Sequence, residues 1–180
     1  MARNRLLREM RDMEKSPDPD ISIEMQNDTI ENWSAVIRGP KDSPFEGGKF
    51  ELRLQCSVNY PMSPPSAWFV TKVFHPNVSY PAGEICLDIL KSQWSPAWTL
   101  QYVCRAVIAM MSDPNADSPL NCDAGNLVRS GDARGYRSMA RRRRDSAGQR
   151  AFRVPLPRQS KYVRRAVTQR PIRKLHVGIW

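Results

Sequence analysis

The chain has 180 residues, four cysteines and a formal net charge of +10. No stretch approaches the ~20 apolar residues that a membrane-spanning helix needs, and Arg3, Arg5 and Arg8 interrupt any apolar run at the N-terminus. We therefore expect neither a transmembrane segment nor a signal peptide. Four cysteines in a chain of this length do not indicate a secreted disulfide scaffold, so the sequence predicts a soluble protein of a reducing compartment.

The positive charge is concentrated at one end of the chain. Residues 1–140 contain 15 Lys and Arg and 17 Asp and Glu, whereas residues 141–180 contain 13 Lys and Arg and a single acid. The sequence thus predicts a core domain at 1–140, which has the usual size of one domain, and a basic tail at 141–180. Pro155, Pro157 and Pro171 and the dense arginines predict that the tail is mostly disordered; an aberrant gene model is the alternative explanation of it.

The first half of the core domain predicts one helix and a sheet. Residues 2–15 form an amphipathic helix with an apolar stripe at Leu6, Leu7, Met10 and Met13. Alternating apolar and polar residues, separated by Gly-Pro and Gly-Gly turns, predict short strands in sequence. These predicted strands are residues 21–25, 33–38, 49–57 and 66–71. Strands joined in this way favour a four-stranded antiparallel meander.

The second half predicts a long loop followed by helices. The loop covers residues 72–97, and long loops in compact domains are usually functional. Thr99 is a suitable N-cap for an apolar helix that stops before Pro114. Two shorter helices are predicted at 121–129 and 132–140. The order of helix, meander, loop and helices is typical of an α+β fold.

The most informative residue is Cys86, which follows Asn77 by nine residues within the long loop. A cysteine thiolate can attack or carry an acyl group, and the amide of Asn77 can donate to a developing oxyanion. His75 precedes Pro76, which favours an extended or turn conformation, so we interpret His75 as a structural residue of the loop. The pattern predicts an acyl-transfer site; a buried core thiol at Cys86 is the alternative interpretation.

The remaining cysteines are Cys56, Cys104 and Cys122, and they predict no second site. The chain has no CxxC motif and no histidine at zinc-finger spacing, so we expect no structural metal. The sequence leaves open one disulfide bridge, for example between Cys104 and Cys122.

Several short motifs occur together in the order and spacing of one known family. They are Tyr60-Pro61, Pro64-Pro65, His75-Pro76-Asn77, the segment from Gly83 to Leu90, Trp94-Ser95-Pro96-Ala97 and Asp113-Pro114-Asn115. On these motifs, residues 1–140 resemble the ubiquitin-conjugating enzymes. Segments 95–101, 118–127 and 129–132 are similar to the peroxisomal branch of that family, as is the length of the stretch from Asn77 to Cys86.

The resemblance implies the ubiquitin-conjugating-enzyme fold and a thioester enzyme. Cys86 would accept ubiquitin, Asn77 would stabilise the oxyanion or hold the active-site loop, and Asp88 would orient the acceptor. Asp117 and Ser118 would lie on a gate loop beside the thiol. Many relatives have an acid where Ser118 stands, and serine is a poor base near neutral pH. This departure weakens the case for lysine transfer and is compatible with a peroxisomal import receptor that is modified on cysteine.

The resemblance also implies partners and a location. These are ubiquitin, the ubiquitin-activating enzyme, a RING-type ligase, and a membrane anchor protein that recruits the chain from the cytoplasm to the cytosolic face of the peroxisome. ATP is used by the activating enzyme, and this chain would bind no cofactor. The ligase would contact Arg5, Met62, Ser95, Pro96 and Ala97, whereas His75, Pro76 and Trp94 would be structural. Met62 stands where many relatives have Phe.

Three alternative hypotheses remain open. The first is a general cytosolic ubiquitin-conjugating enzyme. The second is a catalytically silent ubiquitin-binding adaptor, which the presence of Cys86 with Asn77 disfavours. The third is a nucleic-acid binder that uses the basic tail; the chain shows no RNA-binding motif and no interleaved aromatic residues to support it.

Overall fold

The computed structural model of the chain describes the backbone of residues 2–148 and the side chains of residues 2–142. The predictions for the tail from residue 149 onward therefore lie outside the described residues. The elements, in chain order, are α1 (Ala2–Lys15), β1 (Ile21–Gln26), β2 (Thr29–Arg38), β3 (Lys49–Gln55), β4 (Ser66–Phe69), a 3-10 helix (Asp88–Leu90), α2 (Leu100–Ser112), α3 (Cys122–Arg129) and α4 (Ala133–Gly148). This order confirms the predicted α+β fold.

The four strands form one antiparallel sheet in the order β1-β2-β3-β4, which is the predicted meander. Alternate residues of β2 and β3 are buried, and the register pairs Ala35 with Leu52 and Ile37 with Phe50. One face of the sheet therefore carries a continuous apolar layer, because side chains two residues apart along a strand share a face. Each fully buried Leu, Ile or Phe side chain of this layer contributes about 1.5–3 kcal/mol relative to an exposed one.

Two helices bury their apolar side chains in the same core as the sheet. Leu6 of α1 is fully buried, and Met10 packs against the core from the same helix. Val103 and Val107 are fully buried on α2, whose Thr99 accepts a hydrogen bond from the Tyr102 N–H at 3.2 Å. Thr99 is thus the N-cap that the sequence predicts.

Several element ends differ from those predicted. Strand β2 begins at Thr29, four residues before the predicted start, because Asn27 and Asp28 have φ values of 52° and 54° and form a two-residue hairpin turn. Strands β3 and β4 each end two residues earlier than predicted. Helix α4 continues to Gly148, eight residues beyond the predicted end of the last helix, and the proposed domain boundary at residue 140 stays a prediction.

All four cysteines are free thiols, so the bridge left open between Cys104 and Cys122 is not formed. Cys104 is fully buried whereas Cys122 is exposed. Burial raises the pKa of both Cys56 and Cys104 to about 12. These two thiols are therefore protonated and unreactive near neutral pH.

Within residues 2–148, no helix combines the length and the apolar character needed to cross a membrane.

Candidate active site

A short antiparallel bridge brings Asn77 and Cys86 together. Val78 pairs with Ile85, and the Cys86 N–H donates to the Asn77 carbonyl at 2.9 Å. Val78 and Ile85 are both buried, so their side chains anchor the bridge in the core. Two residues that are nine positions apart in sequence thereby become backbone neighbours, with the Cys86 side chain half-buried at the surface.

Gly83 joins this loop to the edge of the sheet. Its φ is +78°, which a glycine adopts without steric cost. The Gly83 carbonyl accepts a hydrogen bond from the Phe69 N–H at 2.8 Å, and the Gly83 N–H donates to the Ser79 carbonyl at 2.9 Å. A Cβ atom at this position would overlap the Phe69 carbonyl, so the close approach of loop and strand requires glycine.

His75 lies in the core and holds the base of the loop. Its Nδ1 accepts from the Asn77 N–H at 3.1 Å, so the ring proton is on Nε2 and donates to the Met110 carbonyl at 3.0 Å. Burial lowers the pKa of His75 from 6.5 to about 4. The ring is therefore neutral at neutral pH, and both of its nitrogens are engaged away from the Cys86 thiol.

The Asn77 side chain is buried and is engaged at both ends of its amide. Its Nδ2 donates to the Asn115 carbonyl, and its Oδ1 accepts from the Asn115 N–H, each at 2.9 Å. This reciprocal pair joins the Cys86 loop to the connection that follows α2. This pair is compatible with the loop-holding role considered for Asn77. It uses one of the two N–H groups of Nδ2, so the other can still donate to an oxyanion.

The predicted gate loop begins at that junction. The Asn115 side chain accepts from the Asp117 N–H at 2.9 Å, which orients the backbone leading to Ser118. The Leu120 N–H then donates to the Pro76 carbonyl at 2.8 Å. Asp117 and Ser118 are both exposed, so their side chains are accessible on a loop that is fastened at each end to residues 76–77.

The 3-10 helix after Cys86 brings a lysine back to the thiol. The Asp88 carbonyl accepts from the Lys91 and Gln93 N–H groups, both at 3.0 Å. In this turn, the Lys91 Nζ donates to the Cys86 Sγ at 3.3 Å. Asp88 itself is exposed at the first residue of the turn. Among the residues whose side chains are described, no group of three or more His, Cys, Asp or Glu could hold a metal ion.

The predicted ligase-binding residues form a second, separate cluster. Arg5 Nη2 donates to the Trp98 carbonyl at 2.8 Å and lies 3.5 Å from the Ala97 carbonyl, so α1 contacts the loop of Ser95 and Pro96. Trp94 Nε1 donates to the Pro61 carbonyl at 2.7 Å. That bond places the Met62 loop against Trp94, and Met62 is 71% exposed.

One buried carboxylate supports this cluster. Glu9 accepts from Arg5 Nε at 2.6 Å, from the Tyr60 hydroxyl at 2.7 Å and from the Leu100 N–H at 2.8 Å. It is 3% exposed, and its three donors come from α1, the loop after β3 and the start of α2. The three elements that carry the predicted ligase surface therefore meet at Glu9.

No sequence pattern predicts a role for Asn115, Lys91 or Glu9. Asn115 belongs to the Asp-Pro-Asn motif, which marks its position but does not indicate its partner. Lys91 follows Cys86 by five residues, which is a signal only if the intervening residues turn back. Glu9 lies one helical turn after Arg5, a spacing that is common on solvated helix surfaces.

Comparisons with known proteins agree with this geometry. Residues 5–144 match the protein-family model described as ubiquitin-conjugating enzyme. The Arabidopsis thaliana protein PEROXIN-4 is 55% identical over 141 residues, which are 77% of this chain and 90% of the relative. The Dictyostelium discoideum ubiquitin-conjugating enzyme E2 pex4 is 51% identical over 138 residues, which are 76% of this chain and 93% of the relative.

A solved structure shows the same fold. It is the H. polymorpha ubiquitin conjugating enzyme Pex4p, crystallised in complex with the soluble domain of Pex22p. Its TM-score to this chain is 0.76 at 34% sequence identity, and the match covers 81% of this chain and 97% of the Pex4p chain. The predicted ubiquitin-conjugating-enzyme fold is thereby confirmed.

Proposed function

The chain belongs to the ubiquitin-conjugating enzyme family and is similar to its peroxin-4 type. We propose that Cys86 is the residue that carries ubiquitin. Enzymes of this family receive ubiquitin from the activating enzyme as a cysteine thioester. We further propose that ubiquitin is transferred from Cys86 to the peroxisomal import receptor, and that a RING-type ligase directs this transfer.

One observation carries the assignment of the thiol. Cys86 is half-exposed on the loop that Asn77 ties to the gate loop. Cys56 and Cys104 are buried, with pKa values raised to about 12, so they cannot form the thiolate near neutral pH. Cys122 is exposed at the first residue of α3, and the preceding Asn121 N–H donates to the Pro76 carbonyl. Cys122 is therefore the thiol that the charging assay must control for.

The residues around the thiol have separable roles in this proposal. Asn77 holds the gate loop through Asn115 and thereby shapes the space in which the acceptor attacks. Asp88 and Asp117, both exposed, orient the incoming acceptor. Ser118 positions the acceptor without acting as a base, because a serine hydroxyl is not a proton acceptor near neutral pH.

The same arrangement favours a cysteine acceptor. A free thiol has a pKa of about 8.5, against about 10.4 for a lysine amine, so a thiol needs less help to lose its proton. Ser118 supplies no base, and the His75 ring is buried and engaged at both nitrogens. A receptor that is modified on cysteine is therefore the better substrate for this site.

Location and ligase choice depend on two surfaces. The relative from H. polymorpha was solved with the soluble domain of Pex22p, and we assign to this chain a comparable partner that anchors it at the cytosolic face of the peroxisome. The ligase would bind the surface of Arg5, Met62, Ser95, Pro96 and Ala97. Glu9 binds the Arg5 side chain and the Leu100 N–H beside this surface, and Trp94 binds the Pro61 carbonyl.

The first experiment is a charging assay with ubiquitin, activating enzyme and ATP. The wild-type chain is expected to form an adduct that reductant removes, Cys86→Ala to form none, and Cys86→Ser to form an oxyester that reductant leaves intact. Cys122→Ala, which removes the other thiol that is not buried, is the matched control and should charge normally. A Cys86→Ala protein that still charges would contradict the assignment, and a folded wild-type chain that does not charge would favour the silent adaptor.

The preference for a cysteine or a lysine acceptor is tested by discharging the enzyme after it has been loaded with ubiquitin. After removal of ATP, free cysteine is expected to discharge the wild-type thioester faster than free lysine at the same concentration. Ser118→Asp should raise discharge to lysine about tenfold or more, since a positioned general base contributes 10²–10⁴ in typical enzymes. Ser57→Asp places the same charge at another exposed serine and should leave both rates unchanged. Faster discharge of the wild type to lysine would contradict a cysteine acceptor.

A further inference from the structure

Lys91 is the charged side chain that contacts the reactive sulfur. Its Nζ donates to the Cys86 Sγ at 3.3 Å, within the 4.0 Å that a hydrogen bond to sulfur allows. The 3-10 turn holds this approach, because the Lys91 and Gln93 N–H groups both donate to the Asp88 carbonyl. The turn therefore holds the Lys91 backbone near the thiol, and the exposed side chain reaches the sulfur from there.

Two other polar side chains near the thiol, those of Asn77 and His75, make hydrogen bonds within the protein. The Asn77 amide is bound at both ends to the Asn115 backbone. The His75 ring is buried in the core and bonded to Met110 and to the Asn77 N–H. The His75 ring is therefore not available to a negative charge that develops at the thioester, whereas Asn77 keeps one N–H of its amide. Neither of these two side chains supplies a positive charge near neutral pH.

Acyl transfer develops such a charge in two places. The acceptor thiolate attacks the thioester carbonyl carbon, a new carbon–sulfur bond forms, and the electron pair of the C=O bond moves to the carbonyl oxygen. When the tetrahedral intermediate collapses, the bond from that carbon to the Cys86 Sγ breaks and its electron pair stays on the sulfur. The acceptor's proton has already passed to solvent, so atoms and charge balance.

We propose that Lys91 is a further catalytic residue, whose ammonium stabilises the negative charge that passes from the carbonyl oxygen to the Cys86 sulfur during transfer of ubiquitin. This inference rests on the proposed role of Cys86 as the ubiquitin carrier. The ammonium keeps its proton throughout and donates to the leaving thiolate, as it donates to the Cys86 Sγ in the uncharged enzyme. A fixed cation at the site of developing charge lowers the barrier more than it stabilises the neutral thioester.

The test compares Lys91→Met with Lys91→Arg in single-turnover discharge of preloaded full-length enzyme to free cysteine. Loss of one preorganised donor costs about 10²–10³ in rate in enclosed sites, and Lys91 is exposed, so we expect Lys91→Met to discharge about tenfold more slowly at saturating cysteine. Lys91→Arg keeps the charge and should stay within about threefold of wild type. The cysteine concentration for half-maximal rate should not change, because Lys91 does not bind the acceptor.

Two controls separate charge at the thiol from charge in general. Lys41→Met removes an exposed lysine from the β2–β3 connection and should discharge at the wild-type rate. Raising the salt concentration should slow the wild type and Lys91→Arg more than Lys91→Met, since salt screens an exposed cation. Both results would support the assignment.

The catalytic role of Lys91 can be disproved independently of the role of Cys86 as the ubiquitin carrier. If Lys91→Met loads ubiquitin on Cys86 and discharges at the wild-type rate, the catalytic role of Lys91 is wrong while Cys86 remains the carrier. If Lys91→Arg is as slow as Lys91→Met, the positive charge is not the cause. A ubiquitin adduct that resists reductant in wild type and is absent from both variants would identify Lys91 as an acyl acceptor in its neutral form, which also overturns the proposal.

Discussion

Asn77 shows how one side chain joins two loops that the sequence treats as unrelated. Its amide donates to and accepts from the backbone of Asn115, and the same Asn115 then orients Asp117 through its own side chain. Removing the amide therefore changes the gate loop as well as the chemistry that is assigned to position 77.

We predict that Asn77→Ala lowers the free energy of unfolding by about 1–2 kcal/mol, because two partly buried hydrogen bonds to Asn115 are lost at roughly 1 kcal/mol each. Discharge of ubiquitin should slow more than charging, since the gate loop borders the acceptor. The measurements are urea unfolding and single-turnover rates. Asn126→Ala, at an exposed position on α3, is the control. Unchanged stability of Asn77→Ala would show that the Asn115 contact contributes nothing. Equal slowing of charging and discharge would indicate that Asn77 supports the folding of the whole Cys86 loop, and would contradict a specific role at the acceptor side.

Because burial lowers the pKa of His75, we predict that the folded protein loses stability in mild acid. The unfolded chain binds a proton at His75 below about pH 6.5, whereas the folded chain does so only near pH 4. Between these values the unfolded state holds more protons, so stability falls as the pH is lowered through this window. At 1.36 kcal/mol for each pH unit, the loss reaches about 3 kcal/mol by pH 4.

The measurement for His75 is urea unfolding of the whole chain between pH 7.5 and pH 4. His75→Gln should be less stable at pH 7.5 and should have a flatter dependence on pH. His176→Gln removes the other histidine of the chain and should keep the wild-type dependence. The same slope in His75→Gln and wild type would contradict the assignment of the acid loss to His75.

Among the secondary-structure elements, strand β4 supports the loop that carries Cys86, because the Phe69 N–H donates to the Gly83 carbonyl. Gly83 has φ +78° and lies against the Phe69 carbonyl, while Gly47 has φ +76° and no heavy atom of the described residues within 4 Å of where its Cβ would be. The two glycines share the backbone conformation and differ in their surroundings. They therefore form a matched pair for separating backbone strain from steric overlap.

We predict that Gly83→Ala destabilises the fold by about 1–3 kcal/mol more than Gly47→Ala, because both pay the cost of a positive φ and only Gly83 also displaces a packed carbonyl. Gly83→Ala should also slow ubiquitin charging, since Phe69 and Ser79 position the loop that carries Cys86. Thermal unfolding and the charging assay give the two readouts. Equal destabilisation by the two substitutions would mean that the loop moves away from β4 at no cost.

At the scale of the whole molecule, the charge of the chain divides at the end of its last described helix. Residues 149–180 hold nine Lys and Arg and no Asp or Glu. Tyr136 and Ala140 of α4 are buried in the core. We propose that the core domain includes all of α4, and that the basic tail begins after Gly148.

We predict that deletion of residues 149–180 leaves the rate of ubiquitin charging unchanged, because α4 and the core are retained. The full chain should bind a polyanion such as heparin with an affinity that falls steeply as salt is raised, and the shortened chain should lose this binding. Deletion from residue 133 onward removes Tyr136 and Ala140 and should abolish folding. Polyanion binding retained by residues 1–148 would exclude residues 149–180 as the binding segment and leave the basic run at residues 141–144, whereas binding retained by residues 1–140 would remove the tail-based hypothesis. Failure of residues 1–148 to charge would contradict the proposed boundary.

Local sequence patterns predict the four α-helices and four strands and single out Cys86 as the candidate nucleophile. The apolar stripe of α1, the alternation in β2 and β3 and the cap at Thr99 are local patterns, and local patterns depend mainly on the residues that carry them. Cys86 was recognisable from its motif for the same reason. The start of β2 was placed four residues late because Asn27 and Asp28 turn the chain more tightly than the apolar alternation indicates.

The contacts between distant polar groups depend on the tertiary fold. Asn77 and Asn115 are 38 positions apart, and Arg5 and Trp98 are 93 positions apart, so no short window of sequence contains either pair. Each contact joins a side chain to a backbone group whose direction is set by packing of separate elements around the core. Lys91 is near Cys86 in sequence, yet its contact with the sulfur depends on a 3-10 turn that the pattern of residues did not predict.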